Sequence, residues 1–275
     1  MKIFYQGIKG SYSSIPVYEM AKKYGILEEN IFGCDENFTE IWKKIDAEKD
    51  AIGVLPIENS YAGMIHENLF NFLHFDFKII GEVSVQVNHC LLSKEKNISD
   101  VKKVFSHPQA LSQCFEFCEK NGISQEKFVD TALSAKMLAE SDEKGIGAIT
   151  SRNAGEIFGL NILAEGIQDQ DGNTTRMFIV AKKSSDFVLK NDDLKGKISI
   201  LFELRNHPAA LYKCLGAFAT NDLNLTKIES MPNLKNPFNY LFCIDFEGKM
   251  GGEKVKNMFK ELEFFAEQIK VLGEY

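Results

Sequence analysis

The chain has 275 residues, 44% of them hydrophobic and 26% charged, which is enough for two domains of ordinary size with a substantial core. Its formal net charge of −7 excludes a phosphate-tracking nucleic-acid binder, because its basic residues are scattered among acids. No apolar stretch approaches the length of a membrane span, and the four-residue apolar start is too short for a signal peptide. A cytoplasmic location is expected.

Along the first two thirds, short apolar strand candidates alternate with segments of helical periodicity. The strands are "KIFYQG", "IGVLPI", "KIIGEVSV", "KVFSH", "GIGAIT" and "RMFIVAK". Between them lie "SSIPVYEMAKKYG", "FTEIWKKIDAEK", "IHENLFNFLHF", "PQALSQCFEFCEKNG" and "LSAKMLAESDEKG". This alternation predicts an α/β fold with largely parallel strands, ligands being held where strand ends meet helix N-termini. A polar tract over 184–196 reads as a linker. From 197 onward the order is strand, helix, strand, strand, helix, strand, the ferredoxin-like βαββαβ unit, with one sheet face to be covered by its helices or a partner.

The six cysteines lie mostly within apolar runs and are expected to be reduced core thiols. Cys114 and Cys118, one helical turn apart near His107, match no usual zinc spacing, so no metal site is expected.

Polar residues cluster where strands end or begin. "GIKGSYS" (7–13) puts Ser11 and Ser13 at a helix start, a geometry suited to an anion or to plain capping. "VLPIENS" (54–60) places Glu58, Asn59 and Ser60 after a strand that ends in proline. "SHPQALSQC" (106–114) sets Ser106 before a helix whose Gln109 and Gln113 share a face. "DTALSAK" (130–136) places Thr131 and Ser134 at another helix start. In "DGNTTRMFIV" (171–180) a turn and three polar residues precede Arg176 and a buried strand. Each has a capping explanation; five in one domain read as a cleft lined by hydroxyls and amides.

These motifs in this order, followed by a βαββαβ module, resemble the prephenate dehydratase family over nearly the whole chain. The resemblance implies a catalytic domain (1–183) of two subdomains, similar to periplasmic binding proteins, with the site in the cleft between them. It further implies a linker (184–196) and an ACT regulatory domain (197–275), with no chorismate mutase domain. The implied reaction turns prephenate into phenylpyruvate, water and CO2 in phenylalanine synthesis, without metal or organic cofactor. The family's catalytic threonine maps to Thr175, and Ser11, Asn59, Ser60, Ser106, Gln113, Ser134 and Arg176 map to substrate positions. Glu58 is expected to hold Asn59 in place.

On chemical grounds a threonine hydroxyl acts better as a hydrogen-bond donor to the departing oxygen than as a general acid. Arg176 suits the pyruvyl carboxylate, since clamping the ring carboxylate would oppose its loss as CO2; a structural ion pair competes with that role. The family's phenylalanine site, between ACT domains, maps to Asn206, Pro208, Ala209, Leu211, Glu229 and Ser230. Here Ala209 and Met231 stand where the family has Gly and Arg, and Met177 where it has Phe. A homodimer or a dimer of dimers is expected from the open sheet edges. Arogenate as the substrate, and a non-catalytic sensor of small anions, are the competing readings.

Overall fold

The computed structural model describes residues 1–190, 196–205, 207–233 and 240–275, and the chain divides into two compact units. Unit 1 comprises Met1–Asn68 and Val83–Met177; unit 2 comprises Leu69–Glu82 and Phe178–Tyr275.

Unit 1 begins with β1 (Lys2–Gln6), α1 (Ser14–Tyr24), β2 (Ile31–Cys34), α2 (Phe38–Ala47), β3 (Ala51–Asn59) and β4 (Gly63–Met64). Strands β1, β2 and β3 are parallel, as expected for apolar runs joined by amphipathic helices. Helix α3 (His66–His74) and β5 (Phe77–Gln86) follow, and both elements pass from one unit into the other.

Strand β3 does not end at Pro56, as the sequence suggested, but runs on to Asn59. Pairing with β1 stops at Val54, so the missing proline N–H is not needed on that side. The Pro56 carbonyl accepts from Asn68 Nδ2 at 2.7 Å, and Asn68 Oδ1 accepts from Trp42 Nε1 at 2.9 Å. The sites on β3 therefore come from its last residues rather than from a loop.

A second sheet in unit 1 is built from β6 (Cys90–Ser93), β7 (Lys103–Ser106), β8 (Ser124–Lys127), β9 (Ile146–Thr150) and β10 (Asn161–Glu165), in the order β10-β6-β9-β7-β8. Only β9-β7-β8 is parallel; β10-β6 and β6-β9 are antiparallel, which corrects the expectation of largely parallel strands for this half. Its helices are α4 (Pro108–Gln113), α5 (Phe115–Lys120), α6 (Thr131–Glu140) and α7 (Arg152–Phe158). The expected single helix over 108–122 is two. It breaks at Cys114, where the Asp169 carboxylate accepts from the N–H groups of Phe115 and Glu116 and starts a new helix.

The last strand of the first sheet is β11 (Thr174–Lys182), which completes the order β2-β1-β3-β11-β5. Its polar opening, Thr174 to Met177, belongs to unit 1, and its apolar remainder to unit 2.

Unit 2 continues with β12 (Lys197–Leu204), α8 (Ala210–Thr220), β13 (Leu225–Pro232), β14 (Tyr240–Glu247), α9 (Glu253–Leu262) and β15 (Ala266–Glu274). The antiparallel order β13-β14-β12-β15 is that of the ferredoxin-like unit. One sheet face packs Ile200, Phe202, Ile244 and Phe246 against Cys214, Phe218 and Met258 of the helices. On the other face Ser199 Oγ lies 2.6 Å from the Tyr275 hydroxyl, and Tyr275 meets Phe178 of β11 edge to face. Lys197 Nζ pairs with Glu82 of β5 at 2.6 Å, and both are largely buried. The second face of the sheet is thus covered within the unit by β5 and β11. Of the segment expected as a linker, the described part includes Leu189, which is buried.

Candidate active site

Two adjoining cavities in unit 1, of about 380 and 130 Å³, share Tyr12, Asn59, His107, Gln109, Thr131 and Thr175 in their walls. The first sheet supplies Asn59 from the end of β3 and Thr175 from the start of β11; the second supplies His107, Gln109 and Thr131 from the starts of α4 and α6. Strand ends meet helix N-termini here, as the alternating pattern predicts.

The centre of the site is a chain of side-chain amides whose orientation is set by the backbone. Asn59 Oδ1 accepts from the N–H groups of Tyr61 at 3.0 Å and Ala62 at 2.9 Å. Its Nδ2 must therefore be the donor, and it donates to Asn173 Oδ1 at 2.7 Å and to Thr175 Oγ1 at 3.0 Å. The Thr175 hydroxyl accepts from Asn59 and lines both cavities. Asn173, almost fully buried, in turn donates from Nδ2 to Gln113 Oε1 at 2.8 Å. Gln113 lines the smaller cavity.

Of the residues proposed from the sequence, Asn59, Gln113 and Thr175 come together in this way. Ser60 instead closes the chain around β11: it accepts from the Thr174 N–H at 3.0 Å and donates to the Gly172 carbonyl. Ser106 and Ser134 are fully buried and donate to the carbonyls of Ile149 and Thr131. Ser134 lies within α6, whose N-cap is Asp130, accepting from the N–H groups of Ala132 and Leu133. Ser11 is buried with no partner for its hydroxyl. It abuts Gly7, where φ is +97° and an added Cβ would approach Ser11 Oγ to 2.8 Å. Gly7 therefore serves the packing of its own loop.

Arg176 is 16% exposed and lies 3.8 Å from Glu58. Glu58, expected to hold Asn59 in place, forms an ion pair with Arg176. Among the described residues no group of His, Cys, Asp and Glu is arranged to hold a metal ion, and all six cysteines are buried thiols outside any disulfide.

Residues missed in the sequence are Tyr12 and His89. His89 is 2% exposed. It places Nδ1 at 2.9 Å from the Tyr12 hydroxyl and Nε2 at 3.1 Å from Gln113 Oε1. Burial lowers its pKa below the ordinary imidazole value. The available signal was a single histidine just before the apolar run "CLL", too common an arrangement to single out.

In the second unit, Ala209 precedes α8 with a left-handed backbone, φ 61° and ψ 23°. Pro208 and Ser230 are exposed, Glu229 is half-buried, and Leu211 packs on the core. Met231 is fully buried, so its side chain belongs to the core of the sheet. Asn206 lies outside the described residues.

The pattern of the family described as "Prephenate dehydratase" matches residues 3–185. The chain is 38% identical over its whole length to "Arogenate dehydratase/prephenate dehydratase 2, chloroplastic" of Arabidopsis thaliana, covering 72% of that protein. It is 36% identical to the prephenate dehydratase of Methanocaldococcus jannaschii, over 99% of this chain and 97% of that one. The crystal structure of the Arthrobacter aurescens prephenate dehydratase in complex with L-Phe superposes with a TM-score of 0.86 at 25% identity, over all of this chain and 89% of that one. With two thirds of its length inside the family pattern and its strand-end amides and hydroxyl gathered on one cavity, the chain belongs to the prephenate dehydratase family.

Proposed function

We propose that the protein catalyses the decarboxylating dehydration of prephenate to phenylpyruvate, with Thr175 as the donor to the departing hydroxyl. As the ring carboxylate leaves as CO2, its bonding electrons aromatise the ring and expel the hydroxyl, which takes up a proton to become water. Negative charge grows on that oxygen in the transition state, so a donor held there lowers the barrier selectively. The observation that carries this reading is the Asn59–Thr175 hydrogen bond, which leaves the threonine hydrogen for the ligand. The test is an assay of the purified protein and of Thr175→Ala with prephenate, following phenylpyruvate. Turnover by the wild type that survives the substitution would sink the assignment of Thr175, and no turnover by either would favour the sensor reading.

A second reading concerns the side chain of the substrate. Among the described residues lining the two cavities there is no lysine or arginine, whereas Asp35 and Asp130 line the larger one. Such walls suit the ammonium of arogenate better than the keto group of prephenate. The ratio of kcat/KM for the two substrates decides it. Asp35→Asn should lower the arogenate to prephenate ratio by about twofold to fivefold, the worth of one exposed charge contact.

The βαββαβ unit is proposed as an ACT domain through which phenylalanine inhibits, binding near Pro208, Ala209 and Glu229. Association into a homodimer through this unit is supported by the edge position of β13, with Ile228 and Tyr240 about half exposed on β13 and β14. Ile228→Lys should lower the mass in solution measured by light scattering. A cytoplasmic location remains part of the proposal; among the described residues no helix is long and apolar enough to cross a membrane.

A further inference from the structure

We infer that His89 is a positioning residue: it stays in the neutral form protonated on Nε2, and by donating to Gln113 it turns the Gln113 amide N–H2 toward the substrate. The assignment follows from the backbone outward. The N–H groups of Tyr61 and Ala62 fix the Asn59 carbonyl oxygen, which fixes Asn59 Nδ2 as donor to Asn173 Oδ1, which fixes Asn173 Nδ2 as donor to Gln113 Oε1. The atom of Gln113 that faces His89 is therefore an acceptor, so His89 Nε2 must carry a hydrogen.

With that hydrogen in place, a neutral ring offers Nδ1 as an acceptor, and the Tyr12 hydroxyl at 2.9 Å is its donor. Tyr12 also donates toward the Asn88 carbonyl at 2.9 Å, so its one hydrogen is shared between that carbonyl and Nδ1 of the imidazole. Burial, which disfavours charge on both groups, keeps the imidazole neutral and the phenol protonated. Gln113 Oε1 then receives two hydrogen bonds, from His89 and Asn173, and its orientation is locked. Its Nε2 has no protein acceptor among the described residues, and the residue lines the smaller cavity. Two amide hydrogens are thus presented where an anionic substrate sits, in a wall without a lysine or arginine.

This inference rests on the dehydratase reading for its effect on rate but not for its tautomer, and the two are tested separately. Long-range 15N–1H correlation spectra of the imidazole side chains of the wild-type protein at pH 7 should show His89 protonated on Nε2 alone. An Nδ1–H form or an imidazolium would overturn the proposal whether or not the protein turns over prephenate. In the activity arm, His89→Asn cannot reach Gln113 and should lower kcat/KM by roughly tenfold to a hundredfold, the worth of one buried hydrogen bond. His89→Gln places an amide donor at the reach of Nε2 and should recover most of that loss. Equal losses in the two variants, at matched thermal stability, would mean that His89 only fills space. If neither variant folds, the spectra decide alone.

Discussion

Asn59 Nδ2 donates to Thr175 Oγ1 across 3.0 Å, joining the end of β3 to the start of β11. The bond has a direction, because two backbone N–H groups hold the Asn59 carbonyl oxygen away from the threonine. Asn59→Asp tests that direction. Aspartate still accepts from Tyr61 and Ala62, so the turn survives, but its second oxygen would accept the Thr175 hydrogen and withdraw it from the ligand. We expect kcat to fall by about two orders of magnitude or more, with the fold retained by circular dichroism. Thr175→Ala should fall as far with little change in KM, and Thr175→Ser much less. The double variant Asn59→Asp/Thr175→Ala should be no slower than Thr175→Ala, since both changes remove one interaction.

Gly273 of β15 lies against β5, and a Cβ there would stand 2.1 Å from the Ile79 carbonyl oxygen. That atom is backbone and has no rotamer to escape into. Gly273→Ala should therefore destabilise unit 2 by about 3 kcal/mol, at or above the usual range for overpacking. Denaturant unfolding is the measurement, and a change below about 1 kcal/mol would show that the strands part easily.

Ala209 adopts a left-handed backbone, which costs a residue with a Cβ roughly 1–2 kcal/mol. Ala209→Gly should remove most of that strain and raise the thermal midpoint by about 2–4 °C. If phenylalanine binds at this helix start, calorimetry should show tighter binding to the glycine variant, which lacks the exposed methyl group. Linkage requires a substrate analogue to change phenylalanine affinity in the same proportion as phenylalanine changes that of the analogue. Heat from neither protein would leave the βαββαβ unit a role in assembly alone.

Burial pushes the thiols of Cys90 and Cys214 up to about 11. The folded chain holds these protons where an unfolded chain, with ordinary thiols near 9, has already released them. Unfolding then releases protons, so stability falls as pH rises. This contribution is fully present below pH 9 and is lost between about pH 9 and 11. Denaturant midpoints measured across pH 7 to 11 should be level in this respect up to about 8.5 and decline above it. At pH 7.5 the thiolate fraction at a pKa of about 11 is on the order of 10⁻⁴ to 10⁻³, so iodoacetamide should label these two cysteines only after unfolding.

Much of this was legible in the sequence because periodicity and motif order are local signals. The apolar runs of β1, β3, β7, β9 and β11 alternate with helices of 3.6-residue period, and βαββαβ followed from spacing alone. The order of "GIKGSYS", "VLPIENS", "SHPQALSQC" and "NTTRM" pointed to Thr175, Asn59 and Gln113. The sequence could not reveal that Ser60, Ser106 and Ser134 donate to backbone carbonyls, because a serine at a strand end has the same local pattern whether it faces a ligand or a carbonyl. Nor could it pair Arg176 with Glu58, 118 positions away in the chain. The short polar strand β8 and the antiparallel β10-β6-β9 arrangement depend on partners brought together only by folding. Above all, the neighbours of His89 and Tyr12 are set by the tertiary structure. A histidine acquires a tautomer and a function only from the atoms on its two nitrogens, and these come from residues 77 and 24 positions away.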